Sequence, residues 1–263
     1  MTPVREGVLR DAWRLAVGTL TAVPVRPPAV VDRRRAGLAM LLAPLAVLPL
    51  GVVVAIIGWS GGRWDLPPLA AALLAIGALV VGNRAFHVDG LADTVDGFAA
   101  SYDRERALAV MKTGTSGPAG VVAIVLVVGL QATGLSGVLT AGPEPAVRAV
   151  LAGLLVCGSR AALLLCCARG VPSARPGGLG DTYTQTVSVA LAAAIWGALA
   201  VALAWLAPVV GIAWWRGPLA AVLAAAVVLV VLVRATRRFG GVTGDVFGAA
   251  VELALATLLL ALS

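Results

Sequence analysis

Residues 187–210 read VSVALAAAIWGALAVALAWLAPVV, a run without a single charged side chain. A helix that crosses the hydrocarbon core of a bilayer needs about 20 mostly apolar residues, and this stretch supplies them. Six further runs of the same character occupy 36–59, 66–82, 119–141, 148–168, 218–233 and 246–262. Of these, 66–82, 218–233 and 246–262 are short and extend into polar flanks. The expected architecture is an all-α, polytopic transmembrane helical bundle of about seven spans. It forms one integral membrane domain over 1–263, with residues 1–35 as a cytoplasmic N-terminal arm. Composition agrees: 60% of residues are hydrophobic and 13% charged, with a mean hydropathy of +0.98. A soluble domain carries about 25% charged residues.

The net charge is +7 and the pI about 10.6, and the placement of the basic residues decides what that means. Arg5, Arg10, Arg14, Arg26, Arg33, Arg34 and Arg35 precede the first span. Arg84, Arg104, Arg106 and Lys112 lie in 83–118, Arg169 and Arg175 in 169–186, and Arg234, Arg237 and Arg238 in 234–245. The intervening loops hold only Arg63, Arg148 and Arg216, and Arg160 falls inside a span. Positive charge marks cytoplasmic loops, so the N-terminus is expected in the cytoplasm, the C-terminus outside, and the polar, glycine-rich loops on the cytoplasmic face of the cell (inner) membrane. No basic stripe with interleaved aromatics exists, which excludes nucleic acid as a partner. Cys157, Cys166 and Cys167 share one apolar run without CxxC spacing, and His87 is the only histidine, so a zinc site lacks ligands. The stretch bearing Arg5, Glu6, Arg10, Asp11 and Arg14 lacks the cleavage pattern of a signal peptide. Over 8–20, Leu9, Trp13, Ala16 and Leu20 share a helical face that Arg10 and Arg14 avoid, the pattern of a helix lying on the membrane.

The chemistry concentrates in Asn83-Arg84-Ala85-Phe86-His87-Val88-Asp89-Gly90-Leu91-Ala92-Asp93-Thr94-Val95-Asp96-Gly97. Asp89, Asp93 and Asp96 stand at i, i+4 and i+7, within an arc of about 60° on a helix. Like charges so stacked repel. A divalent cation removes that penalty, and Mg²⁺ prefers hard carboxylate oxygens and bridges to substrate phosphates. The plainer reading is a solvated acidic loop. Gly90 and Gly97 leave room for close backbone approach or end the helix. His87 is a candidate general base or phosphate donor, against the plainer reading of a structural hydrogen-bonder.

A second polar stretch, 237–252, carries Arg237, Arg238, Gly240, Gly241, Thr243, Gly244, Asp245 and Glu252. Its glycines leave backbone N–H groups open to an anion, the arginines add charge, and Thr243 is placed to cap the helix that follows. Asp245 and Glu252 share a face, and Glu252 lies about 10 Å into an apolar run, where an ionisable group is costly and by default functional. The structural alternative pairs it with Arg160. Residues 103–120 predict a short amphipathic helix and a glycine-rich turn in which Lys112 is a candidate phosphate contact. The 169–186 loop, with Arg169, Arg175, Gly177, Gly178, Gly180 and Asp181, is weaker evidence.

Together these stretches resemble cobalamin synthase, the adenosylcobinamide-GDP ribazoletransferase family. The motif from His87 to Gly97, followed by Asp103-Arg104-Glu105-Arg106 and Met111-Lys112, carries the resemblance most strongly. The motif Gly240-Gly241-Val242-Thr243-Gly244-Asp245, with Glu252 beyond it, comes next. Ser159-Arg160, Arg169 to Gly180 and Leu20 to Pro24 match more weakly, in the same order over nearly the whole chain. Thr113, Gly114 and Thr115 stand where the family often has an acidic residue after Met-Lys. The resemblance implies Mg²⁺-dependent attack by a ribose hydroxyl of α-ribazole, or its 5′-phosphate, on the cobinamide-linked phosphate of adenosylcobinamide-GDP. GMP leaves and adenosylcobalamin, or its phosphate, forms. It also implies roles: His87 and Asp89 catalytic; Asp89, Asp93, Asp96 and Asp245 on metal; and Arg84, Lys112, Arg160, Arg169, Asp181, Arg237, Arg238, Gly241, Thr243 and Glu252 on substrate. An oligomer is compatible with all of this.

Two other readings compete. A CDP-alcohol phosphotransferase also uses spaced aspartates and Mg²⁺, but its Asp-Gly-x-x-Ala-Arg run is absent, since Gly90 is followed by Leu91-Ala92-Asp93. An ion-coupled transporter suits intramembrane Arg160 and Glu252. The crowding of polar motifs on one face, and the lack of an inverted repeat, oppose it.

Overall fold

A computed structural model describes residues 7–100, 102–140, 142 and 144–263; Arg5 and Glu6 lie outside the described residues. Fourteen helices are present among those described: α1 (Val8–Leu20), α2 (Arg33–Leu41), α3 (Ala43–Ala46), α4 (Leu48–Arg63), α5 (Pro68–Gly82), α6 (Phe86–Ala100), α7 (Arg104–Val110), α8 (Pro118–Thr140), α9 (Pro145–Ser159), α10 (Ala162–Cys166), α11 (Leu179–Tyr183), α12 (Val189–Val209), α13 (Arg216–Phe239) and α14 (Gly244–Ala261). The protein is a multi-pass helical membrane protein. Five segments are long and apolar enough to span: α8, α9 with α10, α12, α13 and α14. A sixth arises if α5 and α6 count as one span bent by 89°, and α4 is apolar but shorter. The seven-span expectation leaves α6, which carries the aspartates, in the 83–118 loop.

The breaks have local causes. The run 36–59 is cut into α2, α3 and α4 because Pro44 and Pro49, each in a first helical turn, cannot continue the preceding helix. The run 148–168 breaks at Arg160 and Ala161, where the Ala161 carbonyl accepts from the Leu164 N–H (3.0 Å) and from the Trp196 indole N–H (3.2 Å). The run 218–233 extends to Phe239 and takes in Arg234, Arg237 and Arg238. Gly240 then ends α13 in the left-handed region (φ 75°).

The hydrogen bonds sort the loops onto two ends of the bundle. At one end Arg84 donates to the Gly18 carbonyl (2.7 Å), Arg33 to Thr184 (2.9 Å) and Arg104 to Ala174 (3.0 Å), and Arg175 donates to Leu108. Backbone bonds join Ala174 to Val242 and Val242 to Pro172. At the other end the Arg216 guanidinium caps α14 through the carbonyls of Ala261 and Ser263. The loops that share the positive charge in the sequence therefore share one end in space.

The arm packs through Ala12, Ala16, Val17 and Leu20 of α1, which are buried, while Leu9 and Trp13 stay exposed. Buried Arg35 pairs with Asp32 and with Asp11 (3.2 Å). The Ala29 N–H and that guanidinium hold the Asp11 carboxyl below the usual carboxylate range in spite of burial.

Candidate active site

The site is built where α6 meets α14. Between α5 and α6 the chain turns through Arg84 and Ala85, both left-handed (φ 60° and 57°) though neither is glycine. That conformation costs about 1–2 kcal/mol per residue. It is held by Ala85 N–H to the Val80 carbonyl, Ala22 N–H to Gly82, and Arg84 on Gly18. Arg84 thus serves the C-terminus of α1, and the bend aims α6 across the end of α14. There the two helices exchange glycines. A Cβ on Gly90 would lie 2.7 Å from the Asp245 carbonyl oxygen, and one on Gly248 would lie 2.8 Å from that of His87. Only glycine permits so close a crossing.

This crossing brings Asp89 and Asp93 of α6 within electrostatic reach of Asp245 in the first turn of α14. Burial and the charges of Asp89, Asp245 and Asp96 push the Asp93 carboxyl up to about 6, with Arg175 pulling the other way. Asp89 is exposed and Asp93 half-buried, and neither makes a hydrogen bond among the described residues. Asp245 accepts from the Thr243 hydroxyl at 3.0 Å, and Thr243 also caps α14. A cavity of about 200 Å³ opens here, walled by Asp245, Arg175, Ser173, Phe86 and Thr243. Glycines of the second motif and of the 169–186 loop serve close packing: a Cβ on Gly241 would meet the Pro172 carbonyl at 2.5 Å, and one on Gly180 the Val242 carbonyl at 2.7 Å.

Asp96 is placed differently. Its carboxylate accepts from Gly117 N–H (2.6 Å) and Gly120 N–H (2.8 Å), so both oxygens are engaged at the N-terminus of α8. Asp89, Asp93 and Asp245 remain. They form no closed cage; among the described residues no three His, Cys, Asp or Glu side chains already converge on one point. That openness suits Mg²⁺, which is commonly held by one or two carboxylates, retained waters and substrate phosphates. Three hard, mutually repelling donors beside a cavity fit such an ion.

His87 and Glu252 belong to a buried layer beneath the carboxylates. Glu252 is 2% exposed, and its partner is Gln131 of α8, whose amide donates to the side chain at 2.6 Å and to the Glu252 carbonyl at 3.0 Å. His87 Nδ1 lies 3.7 Å from Glu252 and 3.5 Å from the Asn83 amide. Arg160 donates to Val156 (2.8 Å) and Ser159 (2.9 Å), leaving two of its guanidinium nitrogens without a hydrogen-bond partner among the described residues. The structure therefore puts His87 on the buried face of α6 and Asp89 on the exposed one. Gln131 gave no signal in the sequence, being one amide in an apolar run, and Arg175 was hidden among the glycines of its loop.

The remaining residues lie around this centre. Lys112 is exposed in the turn after α7. Asp181 accepts from Gly177 N–H at 2.9 Å. Arg238 donates to the Phe98 carbonyl (3.1 Å), stacks over Tyr102 (4.2 Å to the ring centre) and, with Arg234 and Arg237, lines a cavity of about 310 Å³. Arg169 and Arg237 line another cavity, away from Asp245.

The profile of the cobalamin-5-phosphate synthase family matches residues 12–263. An adenosylcobinamide-GDP ribazoletransferase from Nocardioides sp. is 54% identical over 253 residues, covering 96% of this chain and 98% of that protein. Proteins of the same description from Pseudomonas paraeruginosa and Frankia casuarinae are 38% and 36% identical, covering 95% of this chain and 96% and 93% of their own lengths. No solved structure matches the chain.

Proposed function

The chain belongs to the cobalamin-5-phosphate synthase family, and on that premise we propose that it joins α-ribazole, or its 5′-phosphate, to the cobinamide phosphate of adenosylcobinamide-GDP at the α6–α14 crossing. The ribose hydroxyl oxygen bonds to the cobinamide-linked phosphorus, the bond from that phosphorus to the GMP oxygen breaks, and the hydroxyl proton is lost. The observation that carries this reading is the meeting of Asp89 and Asp93 from one helix with Asp245 from another, beside a cavity that also holds Arg175. A cation and a polyphosphate would offset the repulsion within such a set.

Asp89, Asp93 and Asp245 would hold Mg²⁺, which supplies charge neutralisation on the diphosphate. Arg175 orients a phosphate from the opposite wall, where its fixed charge stabilises the negative charge that develops on transfer. Thr243 fixes the rotamer of Asp245, and Asp96 anchors α6 to α8. Glu252, Gln131 and His87 set the depth of α6 on α14. Lys112 and Arg238 would meet the outer parts of the substrate. The positive charge of the bundle end that carries the site supports a cytoplasmic placement, and the seven-span reading counts α4 and α5 beside the five longer segments.

The test is product identity. Purified protein given adenosylcobinamide-GDP, α-ribazole and Mg²⁺ is expected to release GMP in step with the corrinoid product. Release of CMP from a CDP-alcohol, or no GMP under any nucleoside supplied, would overturn the assignment.

A further inference from the structure

The cavity lined by Arg169 and Arg237 has a volume of about 480 Å³ and lies between α12 and α13, against the 168–171 turn. Its floor is one face of α13: Leu229, Leu232, Val233 and Thr236 stand at i, i+3, i+4 and i+7, and Arg237 follows. Leu229 and Val233 are 48% and 47% exposed. On a spanning helix such a face meets lipid. Both arginines are exposed at the same end of the groove, and neither guanidinium makes a hydrogen bond or ion pair among the described residues.

We propose that this groove seats one anionic phospholipid, its phosphate between Arg169 and Arg237 and an acyl chain along the α13 face. Two unneutralised guanidinium groups at the mouth of an apolar slot call for a counter-charge joined to an apolar body. Basic pockets between spanning helices bind anionic headgroups in this way, and guanidinium is the side-chain group best shaped for phosphate. Leu229 to Arg237 rises about 12 Å, so the slot follows an acyl chain well below headgroup depth. The groove ends at Gly170 and Val171, and two residues later the same loop enters the carboxylate cavity with Ser173 and Arg175. A seated lipid therefore buttresses the loop that carries Arg175. The proposal rests on the span assignment and stands whether or not the proposed reaction is right.

The test uses the full chain, purified in mild detergent and exchanged into nanodiscs of phosphatidylcholine with increasing phosphatidylglycerol, with bound lipid counted by native mass spectrometry. Wild type is expected to retain one phosphatidylglycerol per chain in preference to phosphatidylcholine. The Arg169→Gln/Arg237→Gln double variant should bind it about thirty-fold more weakly, at the usual contribution of a juxtamembrane arginine. Arg10→Gln/Arg14→Gln should match wild type. Arg169→Lys/Arg237→Lys, which keeps both charges, should retain the lipid and so separates loss of charge from loss of fold. Added α-ribazole 5′-phosphate should leave lipid occupancy unchanged. Equal retention of the two phospholipids by wild type, equal loss in both glutamine variants, or one-for-one displacement by the nucleoside phosphate would overturn the proposal, the last by making the groove a substrate subsite.

Discussion

At the scale of single residues, three aspartates that look alike in the sequence do different work. Asp89 and Asp93 carry unsatisfied charge, while Asp96 is spent on the backbone N–H groups of Gly117 and Gly120. Spacing on one helix reveals that three carboxylates share a face; it does not reveal that the N-terminus of a helix twenty residues later will dock on one of them. The difference is measurable in metal-free protein. Asp96→Asn gives up a charge-assisted bond and is expected to cost about 2 kcal/mol, read as a lower thermal midpoint in detergent. Asp93→Asn removes a repelled charge and is expected to leave the midpoint unchanged or raise it. Proton competition gives a second prediction. Asp93 is pushed up to about 6, so it is protonated in the metal-free protein below that pH. Apparent Mg²⁺ affinity, measured by isothermal titration, should fall about tenfold per unit as pH drops below 6, because one proton must be displaced per ion bound. Above pH 6 it should level off.

At the scale of elements, the α6–α14 crossing is what converts a sequence motif into a site. The sequence reads Gly90 as leaving room for close backbone approach or ending the helix. Gly90 and Gly248 set how closely two helices approach, each against the backbone of a residue on the other. Glu252 reads in the sequence as an intramembrane charge in want of a partner, with Arg160 the obvious one. Gln131 of α8 is the hydrogen-bond partner found, and the Arg160 charge lies within electrostatic reach of the same carboxyl. Gly90→Ala and Gly248→Ala are each expected to lower the rate of GMP release at least tenfold and to raise the Mg²⁺ concentration needed, since a Cβ levers Asp89 and Asp93 away from Asp245. Gly197→Ala, whose Cβ meets nothing within 4 Å, should be silent or gain up to about 1 kcal/mol from helix propensity. Parallel titrations of the three variants check this.

At the scale of the whole molecule, most of the architecture was legible. Each of the seven apolar runs became helix, because hydrophobic length is a direct consequence of bilayer thickness. The interruptions at Leu42 and Val47 have a local cause in Pro44 and Pro49; the break at Arg160 and the 89° turn before α6 were not legible, since they involve tertiary partners such as Trp196 and Gly18. The orientation follows from charge alone and can be tested by labelling. A cysteine at Thr113 should resist a membrane-impermeant maleimide applied to intact cells, and one at Trp64 should react; Cys157, Cys166 and Cys167 are buried and should not interfere. The most direct test of the account is the Mg²⁺ dependence of GMP release by the reconstituted protein, compared between wild type and Asp89→Asn, Asp93→Asn and Asp245→Asn. Wild type should be silent in EDTA and saturate with Mg²⁺, and each variant should lose at least about a hundredfold, as expected when a metal ligand worth several kcal/mol is removed. Turnover that ignores EDTA, or an Asp245→Asn variant as active as wild type, would contradict it.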